Sequence, residues 1–177
     1  LNDSARRGLF SIPDYTYWFS SPAGHPYILL GYPEVNFTIA EAINRGWITG
    51  PDAGQYYRDG IRAAMKEYDL PEDTINSYLQ QTGLQYKGNN AAGLQQILEQ
   101  KYLAFFQQSG WEAFYNQRRT GIPEFDIGPS NQNNGLIPLR WTYPASESVD
   151  NMKHLTDALR RQYNGADNNN GVMWLLK

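Results

Sequence analysis

Hydrophobic side chains recur at helical spacing in several separate stretches of this chain. From Pro33 to Arg45, Val35, Ile39 and Ile43 stand four residues apart, and Trp47 extends the row. That pattern predicts an amphipathic helix. Pro33 suits its first turn, where a missing N–H costs nothing. Glu34 favours the positive end of the helix dipole, and Gly46 is the expected left-handed stop. A second helix is predicted near Pro51 to Tyr68, with Tyr57, Ile61, Ala64, Met65 and Tyr68 as its apolar row. Pro71 ends it and starts a third, PEDTINSYLQ. After the glycine-marked loop TGLQYKGNN, a fourth helix near Ala91 to Gln108 carries Leu94, Ile97, Leu98, Tyr102, Phe105 and Phe106. Gly110 breaks it, and WEAFYNQRR forms a fifth, closed by Gly121 and Pro123. The last helix spans about Glu147 to Tyr163, with Val149, Met152, Leu155 and Leu159 facing inward. Residues 1–30 look irregular, because SIPDYTYWFSSPAGHP holds three prolines, a glycine and a serine pair. The loop 122–146 is too long to be mere connection. No strand pair emerges.

The first two helices are of similar length and share a short Gly-Pro turn, so they form an αα-hairpin. Ala40, Ala42, Ala63 and Ala64 are expected to let the backbones approach, with Val35, Ile39 and Ile43 buried against Ile61 and Met65. The helices near 91–119 offer a second pair. The fold class is therefore all-α, with tetratricopeptide-type helical hairpins and long irregular loops.

Composition changes this picture in one respect. At 177 residues the chain is one domain or a piece of a larger one, long enough to bury a core. A net charge of -3 gives no electrostatic case for nucleic acid. Cysteine is absent, which removes disulfides, thiolate chemistry and thiolate-bound metals together. No run approaches the ~20 apolar residues of a membrane span. What stands out is 14% aromatic residues, 13 of them tyrosine, beside many amides. Flat rings and amides suit carbohydrate, although tyrosine also packs helices that have a wet edge.

Reactive chemistry is hard to find. No phosphate-binding glycine motif, zinc-binding HExxH or GxSxG elbow occurs, and no cofactor is implied. Counting from Asp167 puts Gly171 at loop position five, so DNNNG fails the calcium-loop pattern. Glu72 and Asp73, and Glu124 and Asp126, read as helix capping or solvated loop. Arg118 and Arg119 close a helix, where cations favour the dipole. His154 reads as a satisfied structural histidine.

A run of motifs then carries a resemblance. HPYILLGYPEVNFTIAEAINRGW is similar to the tetratricopeptide helix of the SusD/RagB family, surface glycan-binding lipoproteins of Bacteroidetes-type bacteria. YYRDGIRAAM (Tyr56 to Met65), QKYLAFF (Gln100 to Phe106) and WEAFYNQRRTGIPEF (Trp111 to Phe125) follow in the family's order. LRWTYPASE (Leu139 to Glu147) and the tail GADNNNGVMWLLK complete it, the tail holding the single tryptophan Trp174 where the family shows an aromatic pair. The resemblance spans about Ser20 to Lys177.

The resemblance implies a mostly α fold and no catalysis. It implies capture of oligosaccharide or another nutrient at the cell outer membrane, surface-exposed, with delivery to a SusC-like TonB-dependent transporter. Membrane association would come only through a lipidated cysteine that this chain lacks. The family is also longer, so residues 1–177 resemble the C-terminal part of a SusD-like domain.

Candidate ligand contacts rest on local chemistry. DYTYWFSSP shows no helical period; extended, it would put Tyr15 and Tyr17 on one face and Trp18 on the other, as a sugar platform or as a seal over the scaffold. In the SNQNNG loop, Asn131 and Asn133 could bind hydroxyls or simply make turns. Two other classes stay open: a tetratricopeptide-type adaptor with a polar groove on its helices, and an all-α glycoside hydrolase with two acids across a cleft.

Overall fold

Side-chain caps set where the longest helices begin. In the computed structural model, which describes residues 7–9 and 11–176, the Gly54 N–H donates to Asp52 Oδ1 at 2.9 Å. Asn90 Oδ1 likewise accepts from Ala92 N at 2.9 Å and Gly93 N at 3.1 Å. These caps satisfy N–H groups that have no partner inside a helix. Among the described residues the elements are α1 (Tyr15–Phe19), α2 (Tyr32–Asn44), α3 (Ala53–Glu67), α4 (Glu72–Leu79), α5 (Ala91–Ala104), α6 (Glu112–Thr120), α7 (Glu147–Asp150) and α8 (Met152–Tyr163). Short 3₁₀ turns lie at Thr82–Leu84 and Trp174–Leu176. The described residues contain no strand, and the fold is all-α as the periodicity predicts. None of the described helices is long and apolar enough to cross a membrane. Of the stretch read as irregular, residues 1–6 and 10 lie outside the described residues.

The chain forms two compact units, Leu1–Gly110 and Trp111–Lys177. In the first, α2 and α3 make the expected hairpin, and α5 packs on both. The core joins Phe37, Ala40, Tyr57, Ile61 and Ile97, flanked by Met65, Tyr78 and Tyr86. The buried face of α2 is not the one that four-residue spacing suggests. Phe37, Ala40 and Ile43 point inward with Asn36 and Glu41, whereas Val35 is exposed and Trp47 is 70% exposed. The reason is geometric. At 3.6 residues per turn, a row spaced strictly by four drifts by about 40° per step and leaves the interface. Only Ile43 belongs to both rows.

Nor do the alanines alone set the closeness of the hairpin. Ala40 is buried, but the contact point is Gly60, where an added Cβ would come within 2.8 Å of the Phe37 ring. The fully buried ring of Phe37 contributes roughly 1.5–3 kcal/mol of burial. The loop before α5 is stapled by Gln96, whose Nε2 donates to the carbonyls of Gly83 at 2.9 Å and Gln85 at 3.0 Å. Its Oε1 accepts from Lys87 N at 2.9 Å.

In the second unit, α6 ends at Gly121, whose φ of 74° is left-handed as its position predicts. The two helices expected as a second pair, 91–119, fall on opposite sides of the boundary between units. No helix interrupts residues 121–146. The expected last helix is broken in two: Asn151 leaves helical geometry at φ -142°, ψ 29°. Its backbone N–H still donates to the Glu147 carbonyl at 3.1 Å, and its side chain donates to Glu147 Oε2 at 2.8 Å. The break interrupts the inward row. Leu159 is buried, but Val149 is 80% exposed and Met152 also faces out. His154 is exposed rather than structural.

Candidate functional site

The stretch DYTYWF folds as one helical turn, contrary to its reading as extended chain. Asp14 causes this: its Oδ1 accepts from Tyr17 N at 2.9 Å and its carbonyl from Trp18 N at 3.2 Å. A helical turn puts residues four apart together. Tyr15 therefore lies beside Phe19, their ring centroids 5.8 Å apart, and both are exposed. Tyr17 and Trp18 turn the other way, onto residues distant in sequence.

There they line a cleft of about 470 Å³ with Ile12, Asp14, Tyr68 and Phe106. Tyr17 and Tyr68 stack at 5.3 Å with planes 29° apart. Trp18 meets both edge-on, at 4.9 Å and 6.3 Å. The tyrosine hydroxyls are anchored in protein. Tyr17 donates to the Glu67 carbonyl at 2.6 Å, with His25 Nε2 also 3.0 Å away. Tyr68 donates to the Phe106 carbonyl at 2.9 Å. Burial raises the pKa of both phenols, reinforced at Tyr17 by Asp69 and Glu67 and at Tyr68 by Tyr17 and Glu67, so both stay protonated donors at neutral pH. The rings are thus held by their tips, and ordering them on binding costs little. Phe106, 58% exposed, closes the cleft with a free apolar face. Among the described residues that line the cleft, Asp14 is the carboxylate.

Tyr17 and Trp18 are therefore brought together, while Tyr15 does not line the cleft. Asn131 and Asn133 lie in the second unit with their amides engaged internally. Asn131 Oδ1 accepts from Asn133 N at 2.7 Å and Gly135 N at 3.0 Å. Asn133 and Asn170 exchange amide bonds at 2.8 Å and 2.9 Å, tying the loop to the tail. Tyr68 and Phe106 were not foreseen as site residues. Both had been read as parts of apolar rows, and nothing local marks which ring edge a row leaves uncovered.

Two other cavities bear on the alternatives. On the first unit, about 510 Å³ opens beside Tyr32, Asp59, Arg62, Lys66 and Glu67. Its cations are already compensated: Arg62 pairs with Glu72, and Lys66 Nζ lies 3.2 Å from the same carboxylate. Burial raises the pKa of Glu67, which also borders a narrow crevice under Gly31. In the second unit, about 470 Å³ is lined by aromatic rings and two arginines. Among the described residues no group of three or more metal-ligating side chains occurs.

Among known proteins, the model of the SusD-like family, described as starch-binding and associating with the outer membrane, matches residues 10–144. A SusD homologue from Bacteroides fragilis is 40% identical with a TM-score of 0.79, covering 88% of this chain and 37% of its own. A candidate outer-membrane nutrient-binding protein of Bacteroides vulgatus is 32% identical with a TM-score of 0.86, covering 99% of this chain and 40% of its own. A chitin-binding protein is 29% identical with a TM-score of 0.68, covering 81% of this chain and 32% of its own. The chain thus spans about two fifths of the structures it matches. No curated protein matches it. The motif run in the sequence, the helical hairpin and the family match agree: this chain belongs to the SusD-like family.

Proposed function

We propose that this chain contributes a neutral-oligosaccharide site to a protein that captures glycans at the bacterial outer-membrane surface. The observation that carries the reading is the cleft lined by Tyr17, Trp18, Tyr68 and Phe106, in which both tyrosine hydroxyls are tied to backbone carbonyls. Sugar rings offer flat C–H faces to such aromatics, and the remaining acceptor capacity of Asp14 suits a hydroxyl. The family's description as starch-binding, and one relative's as chitin-binding, support a polysaccharide as the ligand of this cleft. The captured glycan passes to a SusC-like TonB-dependent transporter, and a lipid anchor holds the protein at the membrane.

The reading is of binding without catalysis, in keeping with the family's description as starch-binding; the cleft's lining carboxylate among the described residues, Asp14, is already engaged in capping α1.

Affinity electrophoresis in gels containing starch or glycol chitin tests the reading. The wild-type chain should be retarded by at least one of them. Trp18→Ala and Phe106→Ala, each with unchanged helical circular dichroism, should weaken retention about tenfold or more, equivalent to about 1.4 kcal/mol. Retention unaltered in both folded variants would place recognition elsewhere.

A further inference from the structure

The second unit holds two arginines in one aromatic cavity, and they differ in one respect. Arg140 is 6% exposed and fully answered: Nη1 lies 2.7 Å from Asp167 Oδ1 and donates to the Asn168 carbonyl at 3.1 Å. Its guanidinium also sits 5.2 Å from the Tyr143 ring centroid and 4.3 Å from that of Tyr163. Asp167 holds it further in place by accepting from Tyr143 N at 3.0 Å. Arg118, on α6, has no such counter-charge among the described residues. Its Nη1 donates to the Leu139 carbonyl at 3.0 Å and reaches Met173 Sδ at 3.7 Å. Its Nε–H is buried with no acceptor among the described residues. Phe114 and Tyr115 lie under the guanidinium at 5.4 Å and 5.2 Å.

A half-buried guanidinium without an anion is costly, and the stacked rings offset only part of that cost. The same cavity is about 470 Å³ and is bordered by Tyr115 and by Trp141, which is 50% exposed. Trp141 is braced edge-on against Trp111 at 4.8 Å and tilted against Phe114 at 5.0 Å, so the ring is held in place. A fixed aromatic ring beside an unanswered, planar cation matches a sugar that carries its own carboxylate.

We infer that the Arg118–Trp141 cavity is a second subsite, selective for uronic acid residues, in which the carboxylate pairs with Arg118 and the pyranose stacks on Trp141 or Tyr115. This rests on the carbohydrate reading above for the sugar ring, and on Arg118 for the acid. Arg140 stays with Asp167 and shapes the wall. The subsite separates acidic from neutral glycans by charge, which the cleft around Trp18 does not do.

The ligand-side test needs no variant. Calorimetry with tri-galacturonate and with its methyl ester, at low salt, compares two sugars with the same rings, of which only the first carries charge. Tri-galacturonate should bind, and the ester about tenfold more weakly or worse. Binding of the acid should also weaken as ionic strength rises. Arg118→Lys should retain part of the affinity and Trp141→Ala should lose it, with Arg118→Gln added where its helical circular dichroism is native. Equal binding of acid and ester, or no binding of the acid, overturns the subsite. Malto- and chito-oligosaccharides run in parallel report on the aromatic cleft, so failure of either reading shows in its own arm.

Discussion

Tyr57 is among the fully enclosed side chains of the first unit. It is fully buried in the core, yet its hydroxyl has no hydrogen-bond partner. Burial, with smaller contributions from Tyr78 and Glu99, pushes its pKa from 10.0 up to about 12. The folded state therefore favours the neutral phenol more than the unfolded chain does. That preference is fully in force below about pH 10 and is lost as pH rises through about 12. Tyr57→Phe removes both the orphaned hydroxyl and this dependence. The variant should gain about 1 kcal/mol in urea unfolding and should keep its stability further into the alkaline range. A clear loss of stability would mean that the hydroxyl has a partner in solution.

The same scale governs the site. Trp18 and Tyr17 were legible as loop-region aromatics, but not in their true arrangement. The deciding residue is Asp14, a cap whose effect on a five-residue turn is too short to leave a period. Tyr68 and Phe106 follow the C-terminal ends of α3 and α5, and their convergence on Trp18 is a tertiary fact that no local pattern encodes. Asn131 and Asn133 were legible as a turn, which is how the structure uses them.

At the scale of elements, the hairpin depends on the contact between Phe37 of α2 and Gly60 of α3. Gly60→Ala would raise helix propensity by up to about 1 kcal/mol on its own. The new Cβ would lie 2.8 Å from a ring that is wholly enclosed and cannot swing aside. Overpacking of that kind costs roughly 1–3 kcal/mol. Net destabilisation is therefore expected in chemical unfolding, and it should be partly recovered when Phe37→Leu is added. A Gly60→Ala variant as stable as the parent would mean that the helices are further apart than described. The limits of α2, α3 and α6 were easy to read from sequence, because prolines, Gly46 and Gly121 mark them, whereas α5, expected to reach Gln108, ends at Ala104. The face of α2 was harder, since a row of large residues at a spacing of four competes visually with Phe37, Ala40 and Ile43. What separates them is the partner surface, here a glycine that carries no hydrophobic signal of its own. The break at Asn151 was equally hidden, because no proline or glycine marks it.

For the whole molecule, an α-helical framework presents cavities of two kinds: anchored rings in one unit, rings and arginines in the other. The family match accounts for the framework, and the ring geometry is the ground for the proposed glycan site. The most direct test uses the five tryptophans, Trp18, Trp47, Trp111, Trp141 and Trp174, as built-in reporters. Their indole N–H resonances can be followed by NMR while a neutral chito- or malto-oligosaccharide is titrated in. The account predicts a saturable shift of the Trp18 resonance, with Trp47 and Trp174 unmoved and Trp141 responding only to a uronate. A saturable shift centred on Trp47, or a Trp18 resonance indifferent to both neutral series, would contradict it.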